Sequence, residues 1–285
     1  MASMSLVAFG VAAALLSAAT QAVAHALLKS GRDKLIIRGV IGATGAVVAL
    51  PLSLVVGPPS VDLVRWLVLS SVVHACYQLV LIRAYDQLDF SLAYPMARGV
   101  APLAISVLGV VFLAERMSLT AVAGICIVTS GLLSLAFSRA PHSGGVGAAI
   151  TAGLLTTTYT LIDAEAVRLA DEAARFIVWF FVSDGLLMSF IAICARRRRT
   201  ANLVRCEGLK GVAAGLASLV TYGCALLALR HLPAGAVAAL RETSVVFGAL
   251  IAISFLRESL TPRRLVGTSV IAAGGILCAI GVGHS

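Results

Sequence analysis

Charge is what this chain has least of. Only 12% of its 285 residues are Asp, Glu, Lys or Arg, whereas 60% are hydrophobic and the mean hydropathy is +1.01. A soluble protein carries about 25% charged residues, so the polar side chain needed to coat one large domain or two ordinary ones in water is missing. The same composition excludes a disordered chain. Cysteine is sparse and scattered: Cys76, Cys126, Cys194, Cys206, Cys224 and Cys278 stand singly, with no Cys-x-x-Cys and no Cys/His pair at metal-ligand spacing. They read as small apolar packing residues. Aromatics make up 6% and do not interleave with basic residues, so the net charge of +9 does not point to nucleic acid. GxSxG, HExxH and P-loop motifs are absent, and Gly145-Val146-Gly147 lacks the third glycine of a dinucleotide fingerprint. The sequence therefore predicts no enzyme, no cofactor, no metal and no ATP-driven transport by this chain alone.

Long apolar runs are what is present. A spanning helix needs roughly 20 predominantly apolar residues, and runs fill residues 5–28, 36–56, 64–82, 90–112, 118–137, 146–169, 173–195, 209–229, 234–256 and 264–282. Transmembrane strands would be about ten residues long with alternating polarity; these runs are longer and apolar all round. Connections such as Gly57-Pro58-Pro59 and His231-Leu232-Pro233 carry turn chemistry. The longest polar one, residues 196–206, holds Arg196-Arg197-Arg198-Arg199. Ala22-Val23-Ala24 looks like a signal-peptidase site, yet no Lys or Arg precedes Lys29, so a retained first helix is expected. The reading is an all-α membrane protein with ten transmembrane helices.

The chain repeats itself. A shift of 143 residues lays Arg98 on Arg241, Glu115 on Glu258, Gly124 on Gly267 and Gly131 on Gly274. Residues 1–140 and 144–285 then form two five-helix repeats of one transport domain. An odd number of spans inverts the second repeat in the bilayer, an architecture that recurs in secondary transporters with the substrate site near midplane. Fifteen of the 22 Lys and Arg flank the odd-numbered connections, Arg38 counted with the first, and five the even-numbered ones. That bias places the odd connections in the cytoplasm and both termini outside.

Ala84-Tyr85-Asp86-Gln87-Leu88-Asp89-Phe90-Ser91 leads into Tyr94-Pro95-Met96-Ala97-Arg98-Gly99, followed by Leu113-Ala114-Glu115 and a Gly-punctuated helix. The second half repeats this as Leu240-Arg241-Glu242-Thr243-Ser244 and Leu256-Arg257-Glu258. Over essentially its whole length the chain resembles the EamA family of the drug/metabolite transporter superfamily. Within it, the chain looks most like a subgroup with Tyr-Pro-x-x-Arg-Gly and Arg-Glu-Thr-Ser motifs, some of whose members are associated with phosphonates. It departs from that subgroup in the first helix, where Gln21-Ala22-Val23-Ala24-His25 stands in place of a His-Ala-x-Trp-Asn stretch. The resemblance implies a transporter in a bacterial inner membrane, with both termini in the cytoplasm, against the charge count.

Intramembrane charges usually face a cavity or a partner. Arg98 and Arg241 lie nine and eight residues into their runs, roughly 12 Å deep at the helical rise and too far for easy snorkelling. Their planar forks suit a phosphonate, phosphate or carboxylate. The alternative is an Arg–Glu lock inside the bundle, with Glu242 or Asp184 as counter-ion. Tyr94 shares a face with Arg98. His74, Tyr77 and Gln78 form a polar stripe on the third run, with Tyr159 and Asp163 on the sixth and Tyr222 on the eighth. Arg98, Arg241, Tyr94, Tyr77, His74, Gln78, Tyr159 and Tyr222 are the predicted substrate-binding residues. Asp184, Glu242 and Asp163 are the candidates for proton coupling. Gly211 and Gly215 make a GxxxG, which permits close helix packing. The expected function is secondary transport of a small polar solute, anionic or zwitterionic. Its rivals are export of amino acids or amphipathic metabolites past structural arginines, and a sensor or lipid-handling enzyme without transport. The expected partners are that small-molecule solute and membrane lipid, with a homodimer allowed and nucleic acid excluded.

Overall fold

The computed structural model of the chain describes residues 2–29, 32–87, 97–99, 101–136, 145–169, 172–254 and 261–283. No strand occurs among them. The helices are α1 (Ala2–Lys29), α2 (Lys34–Val56), α3 (Val61–Gln87), α4 (Ala101–Leu113), α5 (Leu119–Ala136), α6 (Val146–Arg168), α7 (Ala173–Arg196), α8 (Thr200–His231), α9 (Ala234–Glu242), α10 (Ser244–Ser254) and α11 (Pro262–Val282). Among the described residues, six of them, α1, α2, α3, α7, α8 and α11, contain a stretch long and apolar enough to cross a membrane. Their outward faces carry large exposed apolar side chains, among them Val47, Leu54, Val61, Phe190 and Ile276, a surface suited to lipid rather than water. The chain is an integral membrane protein.

Close helix crossings hold the bundle together. α1 packs on α8, α2 on α7, α3 on α6, α4 on α9 and α5 on α11. Lipid tails are as apolar as leucine, so association depends on backbone approach rather than on expulsion of water. At the α2–α7 crossing a Cβ added to Gly42 would meet the Gly185 carbonyl oxygen at 2.9 Å, and at α5–α11 one added to Gly274 would meet the Val128 nitrogen at 2.7 Å. Gly211 and Gly215 face Val40 and Thr44 of α2, so the GxxxG serves packing within this chain. The main apolar core, including Leu63, Leu67, Phe176, Leu226, Leu229 and Leu232, gathers where α3 and α7 begin and α8 ends. The same end is tied by Glu115, which accepts from Arg168 Nη2 at 2.6 Å and from the Ala234 amide at 2.9 and 3.0 Å. Arg168 also donates to the Leu229 and Leu232 carbonyls.

Three local expectations differ from the structure. Residues 196–206 are expected as a polar connection, but only Arg197–Arg199 forms a 3-10 turn and α8 begins at Thr200. Glu207, buried on this helical extension, accepts from the Arg32 backbone amide at 3.0 Å and anchors it to the α1–α2 connection. The run 234–256 is one span by hydropathy, yet it divides at Thr243, whose hydroxyl turns back onto the Leu240 carbonyl at 2.6 Å. Arg241 and Glu242 thus sit at a helix break. Finally, Arg38, counted with the first connection, lies a turn inside α2. The Asp33 carboxylate caps that helix by accepting from the Ile36 amide at 3.1 Å, which fixes its start four residues before Arg38.

Candidate functional site

Between these helices lies a cavity of about 130 Å³, lined from α1, α2, α3, α6, α7, α8 and α9 and by Arg98. It reaches up to Lys34, whose side chain is 31% exposed and pairs with Asp86 at 3.0 Å. That is the end where α2 begins and α7 ends, joined by Arg196 and Asp33 at 2.7 Å. The apolar core and the Glu115–Arg168 tie fill the opposite end.

Seven predicted residues come together on its wall: Arg98, Arg241, Tyr77, His74, Gln78, Tyr159 and Tyr222. Tyr94 lies outside the described residues, as does the side chain of His25. The aromatic groups form one contiguous shelf. His74 meets Tyr159 at 3.9 Å, Phe180 at 4.9 Å and Tyr222 at 5.1 Å between ring centroids, and Tyr77 meets Tyr159 at 5.2 Å. Such rings supply an apolar body with polar tips.

The two predicted arginines differ in their partners. Arg98 donates from Nε to both Glu242 oxygens at 2.8 and 3.0 Å, and its Nη2 lies 2.8 Å from Oε1. This is a buried, bidentate pair between the segment 97–99 and α9, the lock that Glu242 can supply because it turns about 100° from Arg241 on the helix. Arg241 has no carboxylate partner among the described residues, and its buried Nε has no hydrogen-bond partner there. It lies over the Tyr222 ring, with Cζ 5.8 Å from the centroid. Gln21 sits between the two guanidiniums. Its amide oxygen faces Arg98, so the amide nitrogen is what lies 3.3 Å from Arg241.

The carboxylates also separate by environment. Asp184 lines the cavity, in the field of Arg38 and near Gln78, with a buried Oδ1 that lacks a partner among the described residues. It forms no ion pair with Arg98 or Arg241. Asp163 lies behind the wall, accepting from Ser70 at 2.5 Å and from the Tyr222 hydroxyl. Glu242 is taken up by Arg98.

Sequence reasoning missed Arg38 and Gln21. Arg38 donates to Gln78 Oε1 and lines the cavity with no carboxylate within 4 Å among the described residues. The signal was available, because Arg38 stands two residues inside the apolar run that starts at residue 36. Gln21 gave a weaker one, as a lone amide in an otherwise small and apolar first helix. Around the cavity, Arg38 and Arg241 share the wall with one carboxylate among the described residues, Asp184, while Arg98–Glu242 and Lys34–Asp86 balance internally.

The second half of the chain, residues 143–280, matches the EamA-like transporter family. No curated protein matches the chain in sequence. Solved structures do match in fold: one crystal structure of a protein 17% identical superposes with a TM-score of 0.74, covering 96% of this chain and 98% of that one. The family match together with the apolar helices supports a membrane transporter of the drug/metabolite transporter superfamily. The family is one of transporters, consistent with the absence of catalytic motifs.

Proposed function

We propose that the protein is a secondary transporter of a bacterial inner membrane, moving a small polar solute with an acid group by alternating access. The observation that carries this reading is Arg241, buried on the cavity wall at a helix break and without a carboxylate partner among the described residues. A fixed cation in that position is expensive unless an anion visits it. Phosphonates, phosphate esters, carboxylates and amino acids all offer one, and Asp184 provides a place for an ammonium group of a zwitterion. Ten spans in two inverted repeats, 1–140 and 144–285, are supported by the packing pattern. Exchanging each apolar run with the one five places on turns the α1–α8 contact into the α6–α3 contact. It leaves the α2–α7, α4–α9 and α5–α11 contacts unchanged. Broken helices, like the one at Thr243, recur at transporter binding sites.

The pairing of Arg98 with Glu242 supports a second reading for that residue alone, as a lock rather than a ligand-binding group. If Arg241 were likewise structural, the protein would be an exporter of neutral or amphipathic metabolites. A thermal-shift screen of purified protein in detergent separates the two. The panel holds phosphonates, phosphate esters, carboxylates, amino acids and lipophilic cations. A ligand at 100 times its dissociation constant stabilises by about 2.7 kcal/mol. Stabilisation by acids that Arg241→Gln abolishes supports the proposal. Stabilisation by neutral or cationic compounds that the variant retains refutes it.

A further inference from the structure

The cavity wall leaves Asp163 without a task. It is fully buried in α6. Ser70 of α3 donates to Oδ1 at 2.5 Å, and the Tyr222 hydroxyl of α8 donates to Oδ2. No Lys or Arg among the described residues approaches its carboxyl within 4 Å. His74 Nε2 is 3.9 Å from Oδ2. The other ring nitrogen, Nδ1, donates to the Ser70 carbonyl at 3.1 Å, which in the neutral imidazole leaves Nε2 with a lone pair and no proton. That Nε2 is buried and has no hydrogen-bond partner among the described residues.

With that imidazole neutral, the immediate neighbours of Asp163 carry no charge. The charged groups that face it lie further off, Asp184 on α7 and Arg241 on α9; Tyr159 shares its own helix. A carboxylate with no cation beside it is costly in such surroundings. A protonated carboxyl is not, because the Ser and Tyr hydroxyls can accept as readily as they donate. The pocket fits both protonation states without moving a side chain. The other two candidates do not share this property: Glu242 is held by Arg98, and Asp184 stands in the field of Arg38.

Tyr222 joins this pocket to the cavity. Its hydroxyl is on Asp163 while its ring lines the cavity wall beneath Arg241. We propose that Asp163 is a proton-binding site of this protein, and that Tyr222 couples its protonation state to anion binding at Arg241. The coupling rests on the transport reading above. In the loading step a proton from the cavity bonds to the Tyr222 oxygen as the phenolic O–H bond breaks and its proton passes to Asp163. The acid and the phenol both end neutral, and Arg241 is left uncompensated toward an entering anion. Proton and anion then bind with positive linkage, which by the usual strength of such couplings changes anion affinity about 5- to 150-fold.

Infrared difference spectroscopy of the purified protein across a pH titration tests this without any solute. Wild type should show a carboxylic acid C=O band that disappears as pH rises. Asp163→Asn should remove that band and Asp184→Asn should keep it. Arg241→Gln should displace its midpoint, because the field on the carboxylate has changed. A band that survives in Asp163→Asn, or a midpoint unmoved in Arg241→Gln, overturns the proposal. If Asp163→Asn does not fold, Tyr222→Phe and Ser70→Ala leave the carboxyl in place. Each must then shift the band, and an unshifted band in both overturns the proposal. Failure of the solute screen leaves this titration interpretable, and failure of the titration leaves the anion reading of Arg241 standing.

Discussion

Substituting both members of the Arg98–Glu242 pair distinguishes a lock from a ligand-binding arginine. The side chains are 8% and 3% exposed and meet through contacts of 2.8 to 3.0 Å, so the buried regime applies. Removing one partner leaves the other charge uncompensated, at a cost of about 3–5 kcal/mol. Arg98→Gln and Glu242→Gln should each lower the apparent melting midpoint by roughly 10 °C at the 2–4 °C per kcal/mol typical of larger domains. The double variant places two amides face to face, able to hydrogen-bond, and should cost no more than about 1–2 kcal/mol. The two single costs together then exceed the double by at least about 4 kcal/mol, the signature of direct coupling. The assay is thermal unfolding in one detergent at one scan rate, since such midpoints depend on rate. Melting shifts in the single variants that simply add in the double would refute the lock. The double variant should also keep acid-induced stabilisation, which separates Arg98 from Arg241.

Other variants probe the rest of the design. Arg241→Gln should fold with little loss of melting temperature and lose all stabilisation by acids, read in the same screen. Glu115→Ala removes the acceptor for Ala234 and Arg168 at the core-filled end and should cost about 2–4 kcal/mol, between a lost helix cap and a lost buried ion pair. Glu115→Gln, which keeps the cap, should cost less, and equal melting of the two would refute the double role. Partial burial pushes the Asp33 carboxyl up, but Arg196 and the Ile36 amide outweigh it and hold the group below its ordinary 3.8. A lowered native value stabilises the fold above about pH 4 and loses that contribution as pH falls through it. Wild type should therefore approach Asp33→Asn in melting temperature on acidification, and a constant gap would refute this.

The membrane class and the apolar runs were legible along the chain because hydropathy is a local property, read residue by residue over roughly 20 positions. Seven of the cavity residues were visible for a related reason. A polar side chain inside an apolar run is costly wherever it points, so His74, Gln78, Arg98 and Arg241 stand out before any contact is known. What each one touches is not local. Arg98 and Glu242 are 144 positions apart, and only the crossing of their helices and the rotation of each about its axis bring them together. The same rotation leaves Arg241 without an ion pair to any described carboxylate and places Asp163 between Ser70 and Tyr222. Arg38 was hidden by the opposite effect: it stands close enough to Lys34 and Arg32 to be taken for a loop charge, and only the helix start at the Asp33 cap puts it on the cavity wall. The break at Thr243 gave no hydropathy signal, because a hydroxyl bonded back to its own helix costs little in apolar surroundings. Composition thus determined where the chain lies and which residues had to find partners, while tertiary packing decided which partners they found.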